Sequence, residues 1–213
     1  MMETDACVHP CPAGNASVRR MALEAGALGL RAIVARDAMP GEYAGVRIIP
    51  ALIISEPDIR KVSGQIRKRG TLGTLVLVDA GENGFNRSLL AMKGVHVVRN
   101  ICRTHRNAFD HVAARLAEAS GVAIDIDLYP LIHARGAARQ RVLHRYIDLI
   151  RLRSRYHFPL TLSTNSCSVL DMRSPGEMQL LCTLFSLPEE DAALALSTPE
   201  ALLLPGEPVR VVR

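Results

Sequence analysis

The chain has 213 residues, of which 48% are hydrophobic and 22% are charged, and its formal net charge is +5. This length suits a single domain with a substantial core. No apolar run approaches the roughly 18 residues that a membrane span requires, and no segment resembles a signal peptide, so we expect a cytoplasmic protein with no membrane partner.

Short β-rich apolar runs alternate with helical patterns about every 20 to 35 residues along the chain. This alternation is typical of βα units around a parallel sheet. We predict strands at Ala6–Val8, Ala32–Ala35, Arg47–Ile54, Leu75–Val78, His96–Val98, Ala123–Leu128 and Leu160–Ser163. Seven such strands favour a TIM-barrel-like, nearly closed α/β barrel that forms a single domain over residues 1–213, with a C-terminal tail from about residue 205.

The loop after the predicted strand His96–Val98 is the richest in chemistry-bearing side chains. In a parallel barrel, such side chains collect in the loops after the carboxyl ends of the strands. This loop carries Arg99, Arg103, His105 and Arg106, followed by Asp110 and His111 at the predicted start of a helix. An Asp near a helix N-terminus is an ordinary partner of the helix dipole, and a neighbouring His is more often structural than catalytic.

Positive charge is concentrated in the middle of the chain. Residues 60–155 contain 18 Lys and Arg against seven Asp and Glu, a local balance of +11, whereas the segment beyond Arg173 is acidic. Clustered cations are typical of a polyanion partner. The chain has 23 arginines and three lysines. Arginine favours planar, two-pronged contact with phosphate, although a GC-rich genome would also replace lysine with arginine.

The longest predicted helix, Ala138–Tyr156, has one packing face and one cationic face. At 100° per residue the apolar side carries Val142, Leu143, Tyr146, Leu149, Ile150 and Tyr156. The other side carries Arg141, His144, Asp148, Arg151 and Arg155. Arg153 falls on the apolar side, where its stem can pack. A solvated outer helix of a barrel explains the cationic face as well as RNA binding does.

The segment Asp171–Leu181 places a lone arginine before a helix start. Ser174 is a favoured N-cap, and Pro175 is pre-organised for the first helical position. Arg173 therefore lies where a strand's carboxyl end meets a helix N-terminus, and together they would form a donor-rich ledge for a phosphate. The alternative is a helix-capping loop with a solvated arginine.

Two segments together resemble the archaeal and eukaryotic ribonuclease P protein component 3 family, the thirty-kilodalton subunit. The first is Asn107–Leu131, with the sequence Asp-His-Val at its helix start. The second contains Asp171, Arg173 and Pro175, followed by an apolar helix, the acidic helix that starts at Pro188, and a terminal turn from Pro199. Their order and spacing are more specific than either motif alone.

The resemblance implies a barrel similar to the polymerase and histidinol phosphatase superfamily and a noncatalytic role in ribonuclease P. In that family the RNA component uses Mg²⁺ to remove the 5′ leader of precursor tRNA, and the protein itself needs no cofactor. The implied partners are ribonuclease P RNA, precursor tRNA through the complex, and ribonuclease P protein component 2. On this basis we predict that RNA is bound by Arg99, Arg103, Arg106, His111 and Arg173.

A metal-dependent phosphoesterase on the same barrel is the sharpest alternative. Such an enzyme needs several hard ligands to hold metal and activate water. Here the opening Cys7-Val8-His9 offers a thiolate, the loop Ser163–Ser168 contains no carboxylate or imidazole, and only His9, Glu82 and His133 remain. We therefore predict no catalytic residue and no metal site. A scaffold that binds only protein partners is the third hypothesis.

Overall fold

The computed structural model describes residues 2–204, so the predicted tail over residues 205–213 lies outside the described part. The strands are β1 (Thr4–Val8), β2 (Ala32–Arg36), β3 (Gly41–Tyr43), β4 (Val46–Ile54), β5 (Leu75–Asp79), β6 (Val97–Arg99), β7 (Ala123–Asp127) and β8 (Leu160–Ser163). The helices are α1 (Val18–Ala27), α2 (Ile59–Arg69), α3 (Asn83–Leu90), α4 (His111–Ser120), α5 (Tyr129–His133), α6 (Gly136–Tyr156), α7 (Pro175–Cys182) and α8 (Glu189–Ala201). Of the helices in this range, none is both long and apolar enough to cross a membrane.

The sheet is a nearly closed barrel of seven parallel strands, which confirms the predicted fold class. Its order is β1-β2-β4-β5-β6-β7-β8, and an isolated parallel bridge between Val8 and Ser166 links the two end strands. Helix α8 packs against both β1 and β8 and covers this seam. The carboxyl ends of all seven strands therefore meet at one mouth of the barrel.

The strands are nearly continuous apolar runs because both of their faces are covered. On the outside, Val76, Val78 and Ile124 belong to the core between the sheet and the helices. On the inside, Leu75, Leu77 and neighbouring small residues fill one end of the barrel. The mouth end is filled by polar side chains instead.

The predicted helix Ala138–Tyr156 is confirmed as α6, which begins two residues earlier at Gly136. Its residues Tyr146, Leu149 and Tyr156 are buried, as the helical periodicity predicts. Arg153 is only 13% exposed and pairs with Asp191 of α8 at 3.3 Å. The opposite, cationic face of α6 is left open.

Strand β3 was not predicted, because three exposed residues carry no alternating pattern. It pairs antiparallel with the start of β4, from Gly41 opposite Ile48 to Tyr43 opposite Val46. The turn between the strands is Ala44-Gly45, and both of its residues have positive φ, 52° and 75°. A two-residue turn of this hand matches the twist of a hairpin.

The predicted separate turn from Pro199 is wrong, because α8 continues through Pro199 to Ala201. A proline costs the helix the N–H that would reach the Ala195 carbonyl. The side chain of Thr198 donates to the Leu194 carbonyl at 3.0 Å, and Leu202 N donates to the Thr198 carbonyl, so the helix is supported on both sides of the proline.

Gly14 packs the loop after β1 against the loop after β8. A Cβ at Gly14 would lie 2.0 Å from the His9 carbonyl oxygen and 2.4 Å from that of Cys167. We expect Gly14→Ala to cost about 1 to 3 kcal/mol, because backbone atoms must move to relieve the overlap. Thermal melting should show a loss of several degrees.

Gly84→Ala is the matched control. A Cβ at Gly84 meets nothing within 4 Å, and alanine favours the helix α3 in which this residue lies. Its melting temperature should be equal to or above that of the unmodified chain. Equal melting of the two variants would contradict the tight packing at Gly14.

Candidate nucleic-acid interface

A groove lined by cationic side chains runs between α6 and the loop after β6. It encloses about 1010 Å³. Its charged and imidazole lining consists of Arg103, His105, Arg106, Arg141, His144, Arg145, Arg151 and a single acid, Asp148. We call this the basic groove. A second hollow of about 380 Å³ adjoins it and includes Arg155 and the apolar side chains of Phe109 and Leu152.

The loop that forms one wall of the basic groove is fixed to its surroundings. The Arg145 guanidinium on α6 donates to the carbonyls of Arg106 at 2.8 Å and His105 at 3.0 Å. From α3, the Asn86 amide donates to the Ala108 carbonyl at 2.8 Å, and the Asn83 amide donates to that of Asn107. The arginines of this wall therefore project from a backbone held on two sides.

Arg106 and Arg151 approach each other across the groove, and Asp148 lies between them. Arg106 Nε is 3.2 Å from Asp148 Oδ2, and Arg151 Nη1 is 3.6 Å from Asp148 Oδ1. Both arginine side chains are 75% exposed, whereas Asp148 is 28% exposed. The guanidinium groups thus remain open to a ligand in solvent.

Arg103 connects the basic groove to the barrel mouth. Its side chain is 62% exposed, and its Nη2 lies 3.9 Å from Oδ2 of the fully buried Asp127. Burial raises the pKa of Asp127, and hydrogen bonds from the Asn165 side chain and the Tyr129 backbone N–H oppose this rise.

Arg99 lies inside the barrel mouth, where its side chain is only 7% exposed. Its Nη1 donates to Cys7 Sγ at 3.3 Å, its Nη2 donates to Asn165 Oδ1 at 3.0 Å, and its Nε is 3.1 Å from Asp79 Oδ1. His9 Nε2 donates to the same Asn165 oxygen at 2.7 Å. These contacts place Arg99 away from the basic groove, and its predicted contact with RNA stays a prediction.

Two buried carboxyl groups lie deeper in the barrel. Burial raises the pKa of Asp125 to about 7, against the opposing hydrogen bond from Ser163, and raises the pKa of Asp5 to about 6, against hydrogen bonds from Thr164. Burial also disfavours the charged form of Arg99, but Cys7 Sγ and the nearby carboxylates outweigh this effect and raise the pKa of Arg99. The guanidinium is thus the resident cation of the barrel mouth.

His111 is exposed at the first position of α4, as predicted for the start of that helix. Asp110 is the N-cap and accepts from the backbone N–H groups of Val112 and Ala113. The same carboxylate pairs with Arg87 of α3 at 2.5 Å. Asp110 therefore has a structural role, and the predicted RNA contact of His111 stays a prediction.

Arg173 lies before α7, whose predicted start is confirmed by the Ser174 N-cap and its capping box with Glu177. Its guanidinium donates to the carbonyls of Leu170 at 2.9 Å and Met172 at 2.7 Å. These bonds give Arg173 a loop-stabilising role, and its predicted phosphate contact stays a prediction.

Arg145 is the functional residue that sequence reasoning missed. The helical periodicity of α6 assigns it to neither face, and its role depends on carbonyl groups of a distant loop. The cationic face of α6 was recognised, but its juxtaposition with the loop after β6 depends on tertiary packing.

A family model described as RNase P subunit p30 matches residues 2–210. The chain belongs to the RNase P subunit p30 family. Family members are protein subunits of ribonuclease P, whose role is the 5′ maturation of tRNA, and the chain is part of an enzyme only within that complex.

Ribonuclease P protein component 3 of Methanosarcina mazei is 28% identical over 214 aligned positions, covering 96% of this chain and 90% of the relative. The component of the same name from Halorubrum lacusprofundi is 30% identical over 189 positions, covering 80% of this chain and 78% of the relative.

Two solved structures share the fold of this p30-family chain. A chain in the structure of archaeal ribonuclease P with mature tRNA matches with a TM-score of 0.74 and 14% identity, covering 93% of this chain and 89% of that one. Histidinol phosphate phosphatase from Lactococcus lactis, in complex with zinc, histidinol and phosphate, matches with a TM-score of 0.59 and 14% identity, covering 86% and 92%. Within residues 2–204 of the p30-family chain, no group of three or more His, Cys, Asp or Glu could hold a metal ion.

The buried Asp125 predicts a pH dependence of stability. Its pKa is about 7 in the folded chain and 3.8 in its ordinary state, so between these values the folded state binds the extra proton. The neutral Asp125 carboxyl therefore stabilises the folded chain to its full extent below about pH 4, and this stabilisation is lost as pH rises towards 7. Asp125→Asn should reduce the difference in melting temperature between pH 5 and pH 8. Parallel pH profiles for both proteins would contradict the raised pKa.

Proposed function

We propose that the basic groove binds the phosphate backbone of ribonuclease P RNA and that the chain thereby supports removal of the 5′ leader from precursor tRNA. The observation that carries this proposal is the lining of the groove, which contains five arginines, two histidines and one acid. Arginines that neutralise RNA phosphates release counterions, and this release drives binding without reading base sequence. Shape and backbone are then recognised in preference to sequence.

The length of the groove favours a polymer as the ligand. The part of α6 that lines the groove runs from Ala138 to Arg151, which corresponds to roughly 20 Å of helix. Arg141 and Arg151 are exposed along this wall, and the exposed Arg155 continues the row into the adjoining hollow. A row of cations of this length spans several consecutive phosphates, whereas a small phosphorylated metabolite would contact only part of it.

Within the proposed site, Arg103, Arg106, Arg141 and Arg151 contact phosphates because they are exposed and project from fixed backbone. Arg145 is a positioning residue that holds the loop wall through two carbonyl groups. We assign Arg99 to the barrel interior, where it anchors the start of the same loop. His111 and Arg173 extend the proposed contact surface beyond the groove.

The complex supplies the chemistry in this proposal. Hydrolysis belongs to the RNA component and its Mg²⁺, while this chain lowers the repulsion between RNA phosphates. We further propose ribonuclease P protein component 2 as the protein partner and the cytoplasm as the compartment.

The salt dependence of RNA binding tests the proposed groove. We expect affinity to fall log-linearly with salt, with a slope of roughly 0.7 to 0.9 for each phosphate neutralised. The double variant Arg103→Gln/Arg141→Gln should flatten the slope by about 1.5 and weaken binding. Filter binding to ribonuclease P RNA at 50 to 400 mM salt would measure both effects.

Arg20→Gln is the control for that experiment, because Arg20 pairs with Glu24 on α1 and does not line the groove. It should leave the slope unchanged. A salt-independent affinity of the unmodified chain would favour the scaffold that binds only protein partners.

Two substitutions separate the possible roles of Arg173. Arg173→Ala should weaken RNA binding tenfold or more, because a charge-assisted contact is worth about 1.5 to 3 kcal/mol. Arg173→Lys keeps the charge and should retain most of the affinity, although it cannot donate to both loop carbonyls with Arg173's geometry. The melting temperatures of the two variants should be similar. If alanine and lysine reduce binding equally, in proportion to lost stability, the residue serves the loop alone.

A further inference from the structure

Asp148 is the acidic residue of the basic groove, and its presence among cationic side chains needs a physical explanation. It is the single acidic residue in the 21 residues of α6, which contains six arginines. It is also the single acid lining the basic groove. In a surface built to attract polyanions, a carboxylate among the cationic side chains opposes binding by repelling phosphate.

The geometry around Asp148 resembles that of a bound phosphate. Its two carboxylate oxygens contact two different guanidinium groups, Oδ2 with Arg106 at 3.2 Å and Oδ1 with Arg151 at 3.6 Å. A phosphodiester also presents two anionic oxygens, and arginine pairs with carboxylate and phosphate in the same planar manner. The two guanidinium groups come from opposite walls of the groove, and each arginine side chain is 75% exposed. RNA can therefore reach them without unfolding of either wall.

We propose that Asp148 occupies the position of an RNA phosphate in the free protein and is exchanged for that phosphate when RNA binds. This inference rests on the proposed RNA-binding function of the groove and names one phosphodiester site within it, formed by Arg106 and Arg151. RNA that places a phosphate between the two arginines replaces both ion pairs. RNA that does not reach them still meets the repulsion of the carboxylate.

Asp148 therefore lowers affinity for all RNA and improves discrimination between RNAs. An exposed ion pair is individually weak, so exchange is reversible and its cost is small. A ligand that contacts only one of the two arginines breaks the ion pair between that arginine and Asp148. It forms no contact with the second arginine. Selectivity arises from this difference, in the same way that repulsive elements exclude wrong partners at other interfaces.

The test compares Asp148→Asn with the unmodified chain in binding to ribonuclease P RNA and to an unrelated structured RNA of equal length. We expect Asp148→Asn to bind ribonuclease P RNA about threefold to tenfold more tightly, the size of one or two exposed ion pairs. Its affinity for the unrelated RNA should rise more, so that the ratio of the two affinities falls. Asp148→Glu, which keeps the charge, should stay close to the unmodified chain.

Glu24→Gln is the matched control, because it makes the same change in net charge at a residue of similar exposure that pairs with Arg20 outside the groove. In the double variant Arg106→Gln/Arg151→Gln, the added Asp148→Asn substitution should raise the affinity for both RNAs by the same factor and leave their ratio unchanged, because only the repulsion of the carboxylate remains to be removed.

The outcomes separate this inference from the function on which it rests. Salt-independent binding by the unmodified chain would overturn the proposed function. Salt-dependent binding that Asp148→Asn leaves unchanged or weakens would overturn the phosphate exchange alone, as would a gain equal to that of Glu24→Gln.

Discussion

The burial of one guanidinium among carboxylates at the mouth of the barrel is the constraint on which the candidate site depends. A closed parallel barrel must fill its own interior, and at this end the filling includes Asp5, Asp79, Asp125 and Asp127. Unpaired buried charges are costly. Arg99 supplies the compensating cation, while burial raises the pKa of Asp125 to about 7 and that of Asp5 to about 6, which favours their neutral forms more than in an exposed aspartate. Because Arg99 is the last residue of β6, this electrostatic requirement also fixes where the following loop leaves the barrel.

The same loop is held again by Arg145 from α6 and by Asn86 from α3. These attachments reduce the conformational entropy that binding would otherwise cost, since the backbone carrying the exposed arginines is already ordered. The structure thus divides its arginines by role. Arg99 and Arg145 are used for internal contacts, whereas Arg106 and Arg151 keep most of their surface free for a ligand.

The likeness to a histidinol phosphate phosphatase shows a shared barrel fold alone. Function resides in the side chains at the mouth of a barrel, and one barrel supports many of them. Here the Arg99 guanidinium occupies the mouth and is hydrogen-bonded to Cys7 and Asn165. The described residues contain no group of three or more His, Cys, Asp or Glu that could hold a metal ion. Membership in the RNase P subunit p30 family accords with an enzyme whose activity belongs to the complex.

The sequence by itself determined the barrel, its seven parallel strands and the amphipathic helix α6, because hydrophobic periodicity and the alternation of strands and helices are local patterns. The helix start at Ser174-Pro175 could also be predicted from the sequence, since capping depends on neighbouring residues. Only the tertiary structure decided that Arg99 is buried, that Arg145 supports a loop 40 residues earlier in the chain, and that Asp148 lies between two guanidinium groups. The sequence could not predict these assignments. An arginine has the same local sequence pattern whether its side chain lies in solvent, in an ion pair or inside a barrel. Its role is set by carbonyl and carboxylate groups that only folding brings within hydrogen-bond distance.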